Sequence, residues 1–571
     1  MNSIKTIKVN KYLDKNFLND VVEFLKNSAP SKMDLAKKKV ELSRLHKLKK
    51  IPTDIEIYLN LEEDLPELKK LLQTKPIRTS SGVATIALMT HPFCCPHGKC
   101  TYCPGGKASY FGDVPQSYTG NEPATMRGIR NNYDAYLQVF NRLEQYVAIG
   151  QSPEKIELII MGGTFISTNK TYQEEYIKYA FNAMNDFSDL FFTPEFNFAK
   201  FKEFFELPGN LSDDARGNRI RANILKLKEQ STDTLKEAHK KNETSKIKCV
   251  GLTIETKPDQ GFANHGLQML ELGCTRVELG IQTLRDDVLE KIKRGHTLAD
   301  TKKSIRELKD LGFKLNFHMM PGLPDVSIED EKKIFRELFD AEDYKPDMLK
   351  IYPLMVMPGT HLYEDFKNGL YKPLKTIDAI PLLAQIMTFI PEYCRVMRVQ
   401  RDIPPKYSAA GVDRSNLRQL VDEEAKNRGY IVREIRHREI KGDMIKDPVE
   451  IKVFEYKASK GTEFFISLND ANDKLIGFVR MRFLSQSLIE NITLQSAIIR
   501  ELHVYGFASP INANDSNAQH KGFGKLLMQK AEEIAKEHNK NKMLVISGIG
   551  VREYYKKLGY VLEGPYMVKV I

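Results

Sequence analysis

Cys95, Cys100 and Cys103 are spaced CxxxxCxxC within the run FCCPHGKCTYCPGG, which gathers four of the chain's seven cysteines into ten residues. Seven thiols is an odd and sparse count for 571 residues, so they read as ligands in a reducing compartment rather than as a disulfide scaffold. Pro96 and Gly98 keep the segment from forming regular helix, so its backbone can wrap an inorganic core. Three thiolates on one loop can hold three irons of a four-iron cluster and leave the fourth open to a substrate or cofactor. Zinc is the competing reading, because CxxC pairs are common in zinc sites. Those sites normally recruit a second pair, whereas Cys249, Cys274 and Cys394 stand singly and His97 is the only nearby imidazole. That favours iron–sulfur. Cys94 adjoins Cys95 and is the alternative first ligand. Cys249 and Cys274 lie in or beside apolar runs and read as core thiols.

Two further sets carry chemistry. MGGTF (161–165) puts Gly162 and Gly163 where a backbone can approach an amino-acid ligand closely. Glu255 ends the next apolar run, and Glu278 and Gln282 follow on the one after. Each is commonplace alone, but polar groups at successive strand ends converge on one cavity. Farther along, QHKGFG (519–524) reads Q-x-x-G-x-G at a helix start. Gln519, Gly522, Phe523 and Gly524 would offer backbone N–H groups and a helix dipole to a pyrophosphate. Tyr554 and Tyr555, in GVREYYKKLGY, read by themselves as helix packing.

The elements that must position these groups follow from periodicity. VATIALMT (83–90), KIELIIMGG (155–163), CVGLTIET (249–256), TRVELGIQ (275–282), KLNFHMMPG (314–322) and MLKIYPLMV (348–356) are strand candidates, with amphipathic helical stretches between them. The expected class is α/β: a partial (β/α)6 barrel whose active site collects at the strands' C-terminal ends. About eighty residues between MGGTF and CVGLTIET read as an insertion at the surface. After residue 360 comes a linker containing RVMRVQRDIPPKYSAAG, and then an α+β domain with a hairpin, EFFISL and KLIGFVRMRF around NDAND. The divisions expected are 1–75, 76–360, 361–440 and 441–571.

A mass of 65.5 kDa exceeds what one core serves, in accord with several domains. The composition, 42% hydrophobic and 28% charged, fits a soluble globular protein. No apolar run approaches the ~20 residues of a membrane span, and the N-terminus has no secretory pattern, so a cytoplasmic protein is expected. Net charge is +11. Residues 1–50 alone hold 13 Lys/Arg against 5 Asp/Glu, either a phosphate-binding surface or a solvated helix face.

The barrel resembles a radical S-adenosylmethionine (SAM) enzyme. From about residue 76 onward the chain is similar to the Elongator catalytic-subunit family, the tRNA wobble-uridine carboxymethyluridine synthases. The matching segments are CPHGKCTYCPGG, QSYTGNEPATMR, IIMGGTF, GLTIETKPD, CTRVELGIQT, RGHT, LKIYP, RVQRDIP, RELHVYG, HKGFGKLLM and GVREYYKKLGY. The departures are the long insertion and the four residues, in place of three, between the first two cysteines.

The resemblance implies a [4Fe-4S] cluster on Cys95, Cys100 and Cys103. It implies SAM beside Gly162, Gly163, Glu255, Glu278 and Gln282, and acetyl-CoA in a GNAT acetyltransferase domain. The backbone of Glu501, Leu502, His503 and Val504 would hold the pantetheine arm, with Gln519, Gly522, Phe523 and Gly524 at the pyrophosphate. Tyr554 and Tyr555 fall where a GNAT enzyme keeps a phenol near the thioester. Lys155 and Lys350, with Tyr352 beside the latter, would handle acetyl-CoA or substrate in the barrel.

The implied reaction uses a SAM-derived 5′-deoxyadenosyl radical to take hydrogen from the acetyl methyl. The carbon radical then adds to carbon 5 of the wobble uridine, giving carboxymethyluridine. The implied partners are the tRNA anticodon stem-loop, an electron donor, and a second copy or Elongator-like accessory subunits. The basic N-terminus, Lys75, Arg78, Arg398 and Arg401 would clamp tRNA phosphates. The alternatives are a GNAT-type protein lysine acetyltransferase with a structural iron–sulfur domain, a non-enzymatic RNA-binding subunit, and a radical SAM enzyme with another target.

Overall fold

The computed structural model describes residues 13–28, 30–62, 66–74, 82–209, 213–441, 443–490, 492–506 and 522–571. Residues 1–12 of the basic N-terminus, Lys75, Arg78 and Gln519 lie outside the described residues. The chain divides into two compact units. The first joins residues 1–86, 135–156 and 178–248 and is mainly helical. Its helices include Lys15–Ser28, Lys32–Leu45, Ala135–Ala148 and Asp214–Gln230. The stretch expected as a surface insertion contributes a buried aromatic core. Phe187 and Phe191 lie 4.7 Å apart between ring centroids, and Phe201 packs 4.9 Å from Phe205. Phenylalanines on helix Lys170–Phe191 and just after it account for this packing.

The second unit carries the barrel and the C-terminal domain. All six expected strands form: β1 (Val83–Met89), β4 (Lys155–Met161), β5 (Lys248–Thr256), β6 (Arg276–Gln282), β7 (Lys314–Met319) and β8 (Met348–Ile351). A small hairpin, β2 (Gly106–Ser109) and β3 (Gly112–Val114), follows the cysteine loop. A seventh strand, β9 (Arg395–Val399), extends the sheet to the order β1-β4-β5-β6-β7-β8-β9. The stretch expected as a linker therefore supplies an edge strand, together with helices Thr376–Met387 and Leu417–Asn427. Pairing from β5 through β9 is parallel. The order ends on β1 and β9, which makes a partial barrel rather than a closed one. β6 is buried at every position, because it sits mid-sheet with helices on one face and the barrel interior on the other. Crossover helices Leu298–Asp310 and Ile328–Asp340 start on capping boxes, Thr297 with Asp300 and Ser327 with Asp330.

The C-terminal sheet runs β10-β11-β12-β13-β14-β16-β15. Its strands are β10 (Glu450–Ala458), β11 (Gly461–Asn469), β12 (Leu475–Phe483), β13 (Ser496–Val504), β14 (Lys542–Val545), β15 (Val561–Glu563) and β16 (Tyr566–Val570). The expected hairpin is β11–β12. Helix Phe523–Glu537 buries Leu527, Met528, Ala531, Ile534 and Ala535, one stripe at helical spacing.

This domain docks on the N-terminal ends of the barrel strands. Tyr566 Oη donates to Leu311 O at 2.9 Å, and Arg500 Nη1 donates to Phe313 O, just before β7, at 2.6 Å. A Cβ on Gly312 would lie 2.4 Å from Ile498 Cδ1, and one on Gly548 would lie 2.2 Å from the backbone Val250 O, so the second contact demands glycine. The cysteine loop follows the C-terminal end of β1. The two halves of the chemistry expected from the sequence thus sit at opposite ends of one set of strands.

Candidate active site

β1 ends at Met89, and the chain turns into the cysteine loop. Gly98, at φ +87°, permits the reversal that separates Cys95 from Cys100. Gln116 braces it: its Oε1 accepts from Cys95 N at 2.6 Å and its Nε2 donates to Gly98 O at 3.2 Å. Ser117 N donates to Cys103 Sγ at 3.2 Å, and Thr164 Oγ1 lies 3.5 Å from Cys95 Sγ. Cys100 Sγ meets His97 Nε2 at 3.3 Å and Arg294 Nη1 at 3.6 Å. Cys94 is exposed, Cys95 half-buried, and Cys100 and Cys103 buried. Burial holds the Cys103 thiol up at about 11.

A pocket of about 130 Å³ opens beside this loop. Its lining includes Cys95, Gly163, Glu255, Glu278, Gln282, Arg294, His318, Lys350, Tyr352, Arg398 and Arg401. They meet there because parallel register aligns Glu255 with Glu278 and His318 with Lys350 across neighbouring strands. Glu278 is fully buried. It accepts from His318 Nε2 at 2.8 Å and Asn316 Nδ2 at 3.1 Å, and it contacts the Lys350 ammonium. Glu255 accepts from Tyr118 Oη at 2.9 Å and stands 3.9 Å from Lys350 Nζ. Burial acts to raise Glu278, yet Lys350 and His318 hold it well below the usual carboxylate range. Burial acts to lower Lys350, and Glu278 overrides that to keep it a cation. Glu255, Glu278 and His318 bring ligand atoms within 4.8 Å of one another, with that ammonium already against them.

In the C-terminal domain β13 pairs with β14 only from Ser496–Lys542 to Ile499–Val545, while β13 runs on to Val504. The strands part there, and Glu501, Leu502, His503 and Val504 occupy the extension. Gly522, at φ +77°, caps helix Phe523–Glu537. A Cβ on Gly524 would sit 2.7 Å from Tyr554 Oη and 3.8 Å from Leu502 Cδ2. The parted strand, the glycine turn and the Tyr554 phenol therefore converge on one helix N-terminus. Tyr555 instead turns inward, 6.1 Å from the Tyr560 ring. The Glu501 side chain is engaged by Arg480 Nε at 2.8 Å, which leaves its backbone as the part available to a ligand. Burial holds His503 down at about 4, so its ring is neutral at pH 7.

Comparison with known proteins fits this two-site layout. The Radical SAM superfamily matches residues 89–338, the Radical_SAM C-terminal domain 346–427, and the Acetyltransferase (GNAT) family 426–560. The tRNA uridine(34) acetyltransferase of Methanocaldococcus jannaschii is 42% identical over 562 residues, covering 96% of each chain. Elongator complex protein 3 of Saccharomyces cerevisiae is 39% identical over 93% of this chain and 90% of its own. The solved structure of Methanocaldococcus infernus Elp3, with residues 1–46 deleted, matches at a TM-score of 0.69 and 38% identity, over 86% of this chain and all of that one. This chain belongs to the Elp3 family.

As an Elp3-family member it is a radical SAM enzyme with a GNAT acyltransferase domain, and the cofactors that follow are a [4Fe-4S] cluster, SAM and acetyl-CoA. The donor set fits the cluster. One zinc bound at about 2.3 Å would hold its sulfurs roughly 3.8 Å apart. Among the described residues no three cysteine sulfurs come within 4.8 Å of one another, a spread suited to a larger core. Gly163 keeps space open beside Cys95, where a Cβ would reach 3.6 Å from Sγ.

The pocket brings together most of the barrel residues expected from this Elp3 sequence. Lys155 and Gly162 are not among them: Lys155 opens β4, seven residues before Gly162 at the strand's other end, and Gly162 packs against Thr90, whose Oγ1 a Cβ there would meet at 2.1 Å. Burial lowers the Lys155 amine below the ordinary lysine range. Gln116, Tyr118, Arg294 and His318 had no role in the sequence reading. Two lie in QSYTG and one in RGHT, where residue type and spacing alone mark no metal-binding or catalytic pattern.

Proposed function

We propose that this chain forms 5-carboxymethyluridine at the wobble uridine of tRNA from acetyl-CoA. The observation that carries the reading is the pairing in one compact unit of a three-thiol loop over a charged pocket with a GNAT fold, in a chain whose relatives include ones named tRNA uridine(34) acetyltransferase. Cys95, Cys100 and Cys103 would hold the cluster, which with SAM supplies a radical able to take hydrogen from an unactivated C–H bond. That chemistry suits the problem, because neither an acetyl methyl nor uracil carbon 5 couples readily by polar routes.

The protein's work is holding and excluding water. Gly163 lets an amino-acid ligand lie against the backbone, while Gly162 packs on Thr90, and Glu255, Glu278 and Gln282 receive the ligand's polar groups. Lys350, held charged by Glu278, orients an anionic or carbonyl oxygen in the pocket. In the GNAT domain the backbone of Glu501–Val504 receives the pantetheine arm, and the N–H groups after Gly522 receive pyrophosphate. The Tyr554 phenol, at that helix start, is the better placed of the two tyrosines to reach the thioester.

The partner is a tRNA anticodon loop, whose single-stranded base can be splayed into a cavity. Arg398 and Arg401 at the pocket rim and the basic N-terminus meet its phosphates. An electron donor and either a second copy or Elongator-like subunits complete the system, in the cytoplasm. The test is anaerobic reconstitution with SAM, reductant, tRNA and acetyl-CoA labelled in its methyl carbon. Label in the wobble uridine is expected. SAM cleavage with no label in RNA overturns the assignment.

A further inference from the structure

Arg294 is a buried guanidinium, 8% exposed, and among the described residues no carboxylate forms an ion pair with it. A charge removed from water needs a counter-charge. Its direct hydrogen-bond contacts go to one carbonyl and one sulfur, with Tyr102, Lys257, His97 and His296 nearby. Nε and Nη2 donate to Gly280 O at 3.2 and 2.7 Å, and Nη1 points at Cys100 Sγ, 3.6 Å away. The fit is tight: a Cβ on Gly280 would lie 2.3 Å from Nη2. The adjoining backbone is stitched to the cysteine loop, with Thr101 N donating to Ile292 O at 3.1 Å. Gly295, at φ +72°, lies so close that its Cβ would be 2.4 Å from His97 Cβ. The three thiols are therefore unequal. Cys95 meets a hydroxyl and Cys103 a backbone N–H, while Cys100 is the thiol that a guanidinium touches; Arg294 and Lys257 act on Cys95 only from farther off.

We propose that Arg294 is a positioning residue for the Cys100 thiolate and raises the reduction potential of the cluster that the loop holds. A fixed positive charge on a ligating sulfur stabilises the reduced, more negative cluster more than the oxidised one. Gly280 O fixes the guanidinium's direction, so the charge stays aimed at that sulfur. The proposal rests on the reading that Cys95, Cys100 and Cys103 carry the cluster.

The test is a spectroscopically monitored redox titration of the anaerobically reconstituted full chain, with Arg294→Gln, Arg294→Lys and Cys100→Ala. Arg294→Gln is expected to keep iron and sulfide while its reduction equilibrium falls at least tenfold, a negative shift of about 59 mV or more for one electron. Arg294→Lys, which keeps the charge, should shift less. An unshifted potential in Arg294→Gln overturns the proposal, as does loss of cluster from Arg294→Gln and Arg294→Lys alike, which marks a residue needed only for folding. Cys100→Ala separates the two levels: retention of full iron and sulfide by that variant removes the ligand assignment itself.

Discussion

The guanidinium of Arg500 clasps both carboxylate oxygens of Asp347, and neither side chain is exposed to solvent. One comes from GNAT strand β13 and the other from the turn into barrel strand β8. Asp347 also accepts from Leu315 N at 2.8 Å, Arg500 reaches Glu463 at 3.0 Å, and Arg482 joins Glu463 to Asp310 of the barrel. The two catalytic halves are thus locked by a buried network in which every member has a partner.

Because a buried pair is costly to break from one side, Asp347→Ala should destabilise the full chain by about 3–5 kcal/mol. Asp347→Leu combined with Arg500→Met should recover part of that loss. Urea unfolding measures both. An unchanged midpoint for the single variant would show that the pair does not hold the halves together.

Glu331 gives a pH signature. It is buried beside the turn after β7, where its Oε1 accepts from Gly322 N at 2.8 Å, and burial holds its carboxyl up at about 8. The folded state then binds a proton that the unfolded chain has released above its ordinary pKa. Stability from this group is full below about pH 4.5 and is lost as pH rises toward 8, by at most about 5 kcal/mol. Glu331→Gln, which keeps the acceptor, should flatten that decline in a melting-temperature series from pH 5 to 8.5. Parallel curves for the two proteins would contradict it.

At the GNAT site, Gly524→Ala would push a Cβ to within 2.7 Å of the Tyr554 hydroxyl. Acetyl-CoA should bind about tenfold more weakly, a cost near 1.4 kcal/mol, and Tyr554→Phe in the same chain should restore part of it. Calorimetric titration decides. Equal affinity in all three proteins would place the ligand elsewhere.

How much of this could be read from the sequence depended on whether partners were near in the chain. Strand periodicity predicts the six barrel strands because β-branched and apolar residues recur through each of them between turn-like and helical stretches. β9, RVMRV, escaped because its arginines and the prolines that follow make an edge strand look like a linker. In FVRMRF the alternation of Arg480 and Arg482 with apolar residues reads as a solvent face. Both are buried, because counter-charges meet them there: Glu463 and Glu501 from the neighbouring strands, and Asp310 and Asp347 from the barrel, 172 and 133 residues away in the chain. The cysteine loop was legible from spacing alone. Arg294 was not, since nothing in RGHT shows which sulfur it meets 194 residues away.

What the loop of Cys95, Cys100 and Cys103 holds decides the chemistry, and the direct measurement is iron, zinc and acid-labile sulfide per chain in anaerobically reconstituted protein. About four irons and four sulfides are expected, lost when the three cysteines are replaced together by alanine. One zinc with no sulfide, or iron and sulfide undiminished in the triple variant, would contradict the cluster assignment.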